Sequence, residues 1–365
     1  MNKVIYVGPL VNERYKGGIM RIAEYISEES SLKQFKEEHI QLQFFNSHIL
    51  TQSKNSEGKF TLENLRQAVY LLYRLIRLFR NSDFDILHFN SSAGLPLLKD
   101  QIIIFIVSIF TSKKIFFQIH FSGIKETFSE SYLLRNLHIF FLSRNYKVIL
   151  LSDDFKNQLL SVGFPESKLC VLYNFHNLGC YSQNYLNKVS DVIELAFVGS
   201  ICKRKGFMDL LFVLSQSDIK YRLNVLGEFA NREIEEIIEN YITKHNLNVC
   251  FHGYLDGLNK NQVIGQSDIL ILPSYSEGFP MVIPEAMALG CAIISTKIAG
   301  IPEIVVNGVN GFLLRPGDID GLKNKLAQLY FDRELLESFK SNSTKLSSNY
   351  TLNLYIEKLS NIYLS

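Results

Sequence analysis

Cysteine is scarce and scattered in this chain. Five Cys fall among 365 residues, none in a C-x-x-C pair. That usage fits reduced thiols in a cytosolic compartment and argues against a metal cluster. No apolar run approaches the ~20 residues that span a bilayer; the unbroken stretch at 102–107 falls far short. The opening residues, MNKVIYVGPL, carry no h-region or cleavage site of a signal peptide and read as a short strand entering a glycine turn. No G-x-G-x-x-G follows the first strand of either half, which disfavours a Rossmann dehydrogenase. Asp83-x-Asp85 precedes a strand rather than following it, so it is not placed to hold a metal, and no metal or cofactor is expected. No internal repeat or low-complexity tract is present.

What is present is an ordinary folded composition, 47% hydrophobic and 20% charged, which argues against disorder. The net charge of +2 is uneven. Residues 1–175 hold 21 Lys/Arg and 16 Asp/Glu, while the remainder hold 17 and 20. A basic first half fits a phosphate-bearing or anionic-membrane partner better than a nucleic-acid groove.

Strands are expected at 4–7, 41–46, 83–90, 113–120, 147–151 and 168–173, then at 193–198, 223–226, 249–252, 269–272, 292–295 and 311–314. Helical periods fall between them, at 19–26, 62–80, 95–110, 132–146, 155–163, 209–214, 232–245, 259–265, 284–288 and 319–330, with a last one at 351–363. Strands alternating with helices in both halves predict two doubly wound α/β domains, at 1–175 and 192–350. The aperiodic stretch 176–191, rich in Asn, Ser and Tyr, reads as the linker. The apolar segment 95–110 reads as a buried helix. The segment 132–146 reads as a helix with one core face and Arg135 and Arg144 in water, or as one resting on an anionic membrane.

The stretch 267–290 organises the chain. Ser267 to Leu272 is an apolar run ending at Pro273, the signature of a buried parallel strand at its carboxyl end, where open α/β sheets bind ligands. A helix follows, with Pro284 near its first turn and Gly290 at its stop. Backbone amides around Gly278, Phe279 and Met281 should favour an anion, and Glu277 and Glu285 stand between strand and helix. Near the N-terminus, Gly17-Gly18 lies between a strand and a helix. Two readings stand level there: backbone approach to a phosphate, and a tight turn needing positive φ.

Glu277-x7-Glu285, framed by Pro273-Ser274 and by Glu285-Ala286-Met287-Ala288-x-Gly290, resembles the donor-site signature of retaining glycosyltransferases of family 4, which have the GT-B fold. The likeness continues through Ala292-Ile293-Ile294-Ser295, Gly300-Ile301-Pro302-Glu303-Ile304-Val305 and Asn307-Gly308-x-x-Gly311-Phe312. It implies two Rossmann-like domains facing across a cleft, with the terminal helix, 351–365, packing back on the first. Gly199…Lys205-Gly206 resembles the family's Gly-x(n)-Lys-Gly motif, and Gly17-Gly18-x-x-Arg21 its first loop, which faces the donor diphosphate and the acceptor.

The resemblance implies a retaining, metal-independent transfer from a nucleotide-diphosphate sugar, with UDP the expected nucleotide. The acceptor would be a surface glycan: a lipid-linked oligosaccharide, lipopolysaccharide or capsule intermediate. Lys205 would meet the diphosphate, Glu285 the ribose, and Glu277 and His120 the donor sugar. Lys205, Glu277 and His120 are the catalytic candidates; Gly17, Gly18, Arg204, Lys205, Glu277, Gly278, Phe279, Met281 and Glu285 are the donor-binding ones. Ser200 departs from the pattern, since many members have Arg there; Arg204, on the same loop, would supply the missing cation. Lys205→Ala is expected to abolish transfer with the fold intact. The expected place is the cytoplasm, peripheral on the inner face of the membrane, without nucleic acid. The alternatives are a transferase to a small soluble acceptor and a non-catalytic nucleotide-sugar-binding scaffold of a glycan assembly complex, the latter motivated by Ser200.

Overall fold

The computed structural model describes residues 1–10, 17–47, 62–91, 95–120, 132–144, 146–178 and 191–365. The expected polar loop at 53–60, residues 121–123 after the fourth strand and most of the expected linker, 179–190, lie outside the described residues. The chain forms two compact units, one of Met1–Tyr173 with Leu352–Ser365 and the other of Asn174–Thr351. His176 packs within the second unit, its amide donating to the Tyr350 carbonyl at 2.8 Å.

Each unit is built on a six-stranded sheet whose neighbouring strands all run parallel. The first comprises β1 (Asn2–Gly8), β2 (Ile40–Asn46), β3 (Ile86–Ser91), β4 (Lys114–Ile119), β5 (Lys147–Leu150) and β6 (Leu169–Val171). The second comprises β7 (Ile193–Val198), β8 (Tyr221–Leu226), β9 (Val249–Gly253), β10 (Ile269–Leu272), β11 (Ala292–Thr296) and β12 (Gly311–Leu314). All twelve lie close to where they are expected; inner strands such as Ile269–Leu272 are buried on both faces and read as unbroken apolar runs, whereas the edge strands β2 and β9 are partly exposed. The orders are β2-β1-β3-β4-β5-β6 and β12-β11-β10-β7-β8-β9. In each sheet the first strand has neighbours reached in opposite directions, β2 and β3 beside β1, and β8 and β10 beside β7. Such a switch point opens a crevice at the carboxyl ends of its strands.

Three helices escape the expected pattern, the shortest being the four-residue Ile301–Ile304. Glu29–Glu37 starts two residues after the helix Gly18–Ser27 and buries only Ser31 and Phe35, too little to show a period. Arg333–Ser347 is capped by the Asp332 side chain, which accepts from the Leu335 amide, and it buries Leu336 and Phe339. Asp332 before Leu336, Phe339 and Ser343 was its readable signal. The helix Leu95–Ile109 also differs from expectation: it is not buried throughout, since Ile109 is 66% exposed and Phe110 beyond it 62%.

The terminal helix Leu352–Leu364 belongs to the first unit. Tyr6, His88 and Phe116 stand in register across β1, β3 and β4. Tyr363 closes over that face, edge-on to both the His88 and Phe116 rings, with its hydroxyl 2.6 Å from His88 Nδ1. Burial holds the His88 imidazole down to about 3 against an ordinary 6.5. His120, just past β4, is likewise lowered to about 3, by burial first and by His88 second.

A folded-state value below the unfolded one gives stability that is complete above 6.5 and lost as pH falls toward 3, because the unfolded chain takes the proton first. Melting temperature should therefore drop through this window, with each histidine adding a slope of up to ~1.4 kcal/mol per pH unit. His88→Gln should flatten that slope in a melting series across pH. An unchanged slope would show that His88 does not contribute to the acid sensitivity.

Candidate functional site

In the second unit the loops leaving β7 and β10 meet at the switch point, and glycine makes the meeting close. Gly206 follows the short 3-10 turn Lys203–Lys205 with φ 69°, and a Cβ there would stand 2.1 Å from the Pro273 carbonyl oxygen. Gly227, after β8, has φ 149°, and its Cβ would stand 2.0 Å from the Gly199 carbonyl oxygen. No side chain fits either place, and the left-handed backbone alone disfavours one at Gly206. The ends of β7, β8 and β10 are thus drawn together backbone to backbone.

The turn at Lys203–Lys205 aims Lys205 at the loop after β10. Its Nζ donates to Glu277 Oε1 at 2.6 Å, and the Ser274 hydroxyl donates to the same oxygen at 2.7 Å. Both charged side chains are mostly buried, 13% and 7% exposed. Among the described residues nothing donates to Glu277 Oε2. Arg204 is exposed, and its guanidinium donates to the Ser276 carbonyl at 2.7 Å, while its own carbonyl accepts from the Tyr275 amide at 2.8 Å. On the opposite flank the Thr296 hydroxyl donates to the Ser274 carbonyl at 2.6 Å, and the Gly300 amide to the Gly278 carbonyl at 3.1 Å. The loop carrying Glu277 is therefore fastened from both sides.

Glu285 lies on the helix Val282–Ala288 and is buried. Lys260, on the helix Gly257–Gly265, donates to its Oε1 at 2.6 Å. Sequence reasoning missed Lys260, Ser274 and Asn174; the last donates to the Phe279 carbonyl at 2.6 Å. The Phe279 side chain is core, its ring tilted against Tyr350 at 5.8 Å between centroids, so any ligand contact there belongs to its backbone. No acceptor within the described protein takes the Gly278 or Met281 amide. Ser200 is exposed beside Gly199, whose backbone at φ 140° lies along the Lys205 methylenes.

In the first unit, Gly17 and Gly18 are exposed at the start of the helix Gly18–Ser27. Gly17 has φ −82°, Gly18 is helical, and a Cβ at either would meet nothing within 4 Å. The tight-turn reading fails, since neither backbone strain nor packing within the chain requires glycine there. His120 Nε2 lies 2.7 Å from Asn90 Oδ1. Among the described residues no group of three His, Cys, Asp or Glu converges as a metal site would require.

Residues 183–346 match the family model described as glycosyl transferases group 1. Nearly the whole of the second unit therefore resembles a group 1 glycosyl transferase domain. Curated relatives match part of the chain: an uncharacterized glycosyltransferase of Methanocaldococcus jannaschii is 30% identical over 159 residues, 42% of this chain and 43% of that protein. The capsular polysaccharide biosynthesis glycosyltransferase CapM of Staphylococcus aureus is 26% identical over 186 residues, 50% of this chain and 48% of that protein. The chain thus matches less than half the length of these relatives. Solved structures match the whole length. Sucrose-phosphate synthase from Thermosynechococcus elongatus has a TM-score of 0.78 at 15% identity, covering 100% of this chain and 98% of its own. The lipopolysaccharide outer core galactosyltransferase WaaB has a TM-score of 0.74 at 18% identity, covering 99% of each chain. Anabaena HepE, solved with UDP-glucose, has a TM-score of 0.72 at 19% identity, again covering 99% of each. The shared architecture is the GT-B fold, with two Rossmann-like units.

The ion pair corrects one expectation. Lys205→Ala does not merely remove a cation facing solvent; it strands the Glu277 carboxylate, and breaking a buried pair this way costs ~3–5 kcal/mol. Lys205→Ala should therefore lower the melting temperature sharply, and Lys205→Ala/Glu277→Gln should recover most of the loss. A double variant no more stable than Lys205→Ala would show that the two side chains are not energetically coupled.

Proposed function

We propose that this chain transfers a sugar from a nucleotide-diphosphate sugar, a UDP-sugar, to a surface-glycan acceptor, with retention of anomeric configuration and without a metal. The observation that carries the reading is Lys205 and Ser274 converging on Glu277 at the switch point of a group 1 domain. Departure of the sugar builds negative charge on the diphosphate and positive charge on the anomeric carbon. Lys205, Arg204 and the amides of Gly278, Phe279 and Met281 would take the first charge, and Glu277 with its unengaged oxygen the second. Glu285, with one oxygen held by Lys260, keeps the other for the ribose hydroxyls. Gly17 and Gly18 leave space for backbone approach to the diphosphate, and His120 contacts the sugar.

UDP-glucose bound to HepE supports the choice of nucleotide, and the capsule and outer-core transferases support the class of acceptor. Purified protein screened by thermal shift against UDP-, GDP-, ADP- and TDP-sugars without added metal should be stabilised by the UDP class alone and release UDP slowly. Glu285→Ala should weaken nucleotide binding by about tenfold or more, the scale of a charged hydrogen bond. Stabilisation by another nucleotide would overturn the donor; no shift with any would overturn the donor site.

The acceptor class implies work at an anionic membrane, and the first unit has a surface suited to it. No described helix is long and apolar enough to cross a membrane. The helix Leu95–Ile109 packs between Leu62–Asn81 and Tyr132–Ser143. The outer stripe of Leu62–Asn81 runs Leu65, Arg66, Val69, Tyr70, Tyr73, Arg77 and Arg80, all exposed. That of Tyr132–Ser143 runs Leu133, Leu137 and Phe140, with Arg144 over the Phe140 ring at 4.7 Å. Across both helices and Arg144 the sequence has six Arg and one acidic residue, Glu63. Exposed aromatics beside arginines suit an interface of apolar boundary and anionic headgroups.

The protein should co-sediment with phosphatidylcholine vesicles only when phosphatidylglycerol is added. Arg77→Ala/Arg80→Ala should cost about 2 kcal/mol of that binding, at ~1 kcal/mol per basic side chain. Equal binding to both vesicle types would overturn the membrane contact.

A further inference from the structure

The first unit's switch point, at the ends of β1 and β3, holds a hydrogen-bond chain whose direction is fixed by chemistry. Asn90, the penultimate residue of β3, is 4% exposed. Its Nδ2 donates to the Val7 carbonyl at 2.9 Å. A carbonyl oxygen only accepts, so the amide cannot be turned over without setting two oxygens against each other. Asn90 Oδ1 therefore points the other way, where it accepts from the Tyr6 hydroxyl at 3.1 Å and lies 2.7 Å from His120 Nε2. Gly8 packs against Asn90 from the end of β1, where a Cβ would stand at ordinary contact distance, 3.4 Å from Asn90 Nδ2. An amide oxygen accepts only, so Nε2 of His120 must carry the proton. The ring is half-buried, and no described residue takes its Nδ1.

We propose that Asn90 is a positioning residue that locks His120 in the Nε2–H tautomer, so that Nδ1 offers a lone pair to a substrate hydroxyl. Val7 orients Asn90, Asn90 orients His120, and His120 then reads a donor hydroxyl group rather than an acceptor. Because the imidazole stays neutral at ordinary pH, it gives no proton to a leaving group. Specificity follows from the direction: a sugar hydroxyl at this place donates, and a deoxy or carbonyl substituent there leaves Nδ1 without its hydrogen bond. The inference rests on the sugar-contacting reading of His120, but the lock itself is a property of the free protein.

Long-range proton–nitrogen spectra of histidine-labelled protein decide it, with the His120 signal assigned by its loss in His120→Gln. At neutral pH His120 should show a protonated Nε2 and an unprotonated Nδ1. Asn90→Ala should release the ring into a mixture of tautomers, while Asn90→Asp in its protonated form, its carboxyl O–H donating to the Val7 carbonyl in place of the amide and its other oxygen accepting, should hold Nε2–H. An Nδ1–H form in the native protein, or a pattern unmoved in Asn90→Ala, overturns the lock. Should Asn90→Ala fail to fold, the native and Asn90→Asp spectra still decide the tautomer and its dependence on an accepting oxygen. Kinetics read the consequence: Asn90→Ala should lower kcat by about tenfold with little change in KM for the nucleotide sugar, the mark of an interaction strengthened in the transition state, and Asn90→Asp should restore part of it. A locked tautomer in a protein that turns over no nucleotide sugar would sink the transferase reading and leave the lock standing.

Discussion

A carboxylate taken out of water must be compensated where it sits, and Glu277 imposes that condition on the whole second unit. Its oxygen needs a cation and a hydroxyl within hydrogen-bond reach, and both come from fixed backbone: Ser274 three residues earlier and Lys205 from a loop 72 residues away in sequence. For Lys205 to arrive, the turn after β7 must lie against the turn after β10. For those turns to touch, Gly206 must have no side chain. The glycines, the ion pair and the strand order are thus one arrangement seen at three scales. Thr296 and Gly300 brace the same loop from β11, so the charge pair is held by three strand ends rather than by its own attraction.

The two units solve a common problem differently. Both place polar side chains at a switch point, where strand ends diverge and the crevice between them is open by topology. The second unit fills its crevice with paired charges, Lys205 with Glu277 and Lys260 with Glu285. The first uses neutral groups: an amide, a phenol and two imidazoles kept neutral by burial. Charged groups suit a ligand that carries phosphates, and neutral directional ones suit hydroxyls, whose positions differ among sugars while their charge does not.

Much of this was legible in the amino-acid sequence, for identifiable reasons. The strands were: Ile269–Leu272 and other inner strands are apolar on both faces, while the partly exposed edge strands Ile40–Asn46 and Val249–Gly253 keep enough apolar residues to show. The helix Glu29–Glu37 was not, because its single buried aromatic, Phe35, makes no period. Lys205, Glu277 and Glu285 stood out by spacing within ordered motifs, yet nothing in the sequence joined Lys205 to Glu277. Lys260 lies in a polar helical stretch with no motif around it, and only the packing of its helix against Val282–Ala288 makes it the counter-ion of Glu285. Nothing in the sequence marks Asn90, the last residue of the expected strand 83–90, since its role depends on the Val7 carbonyl across the ladder.

The terminal helix has a consequence for how the chain comes into being. The first unit closes its sheet with Tyr363, laid over His88 and Phe116 from the far end of the sequence. The second unit, Asn174–Thr351, is one continuous stretch. During synthesis from the N-terminus, the second unit has all of its residues before the first does. The first unit meanwhile exposes an aromatic sheet face to the ribosome's surroundings for the time needed to make the intervening stretch. A chain truncated before Leu352 would retain every strand while lacking the helix that covers this face of the first unit.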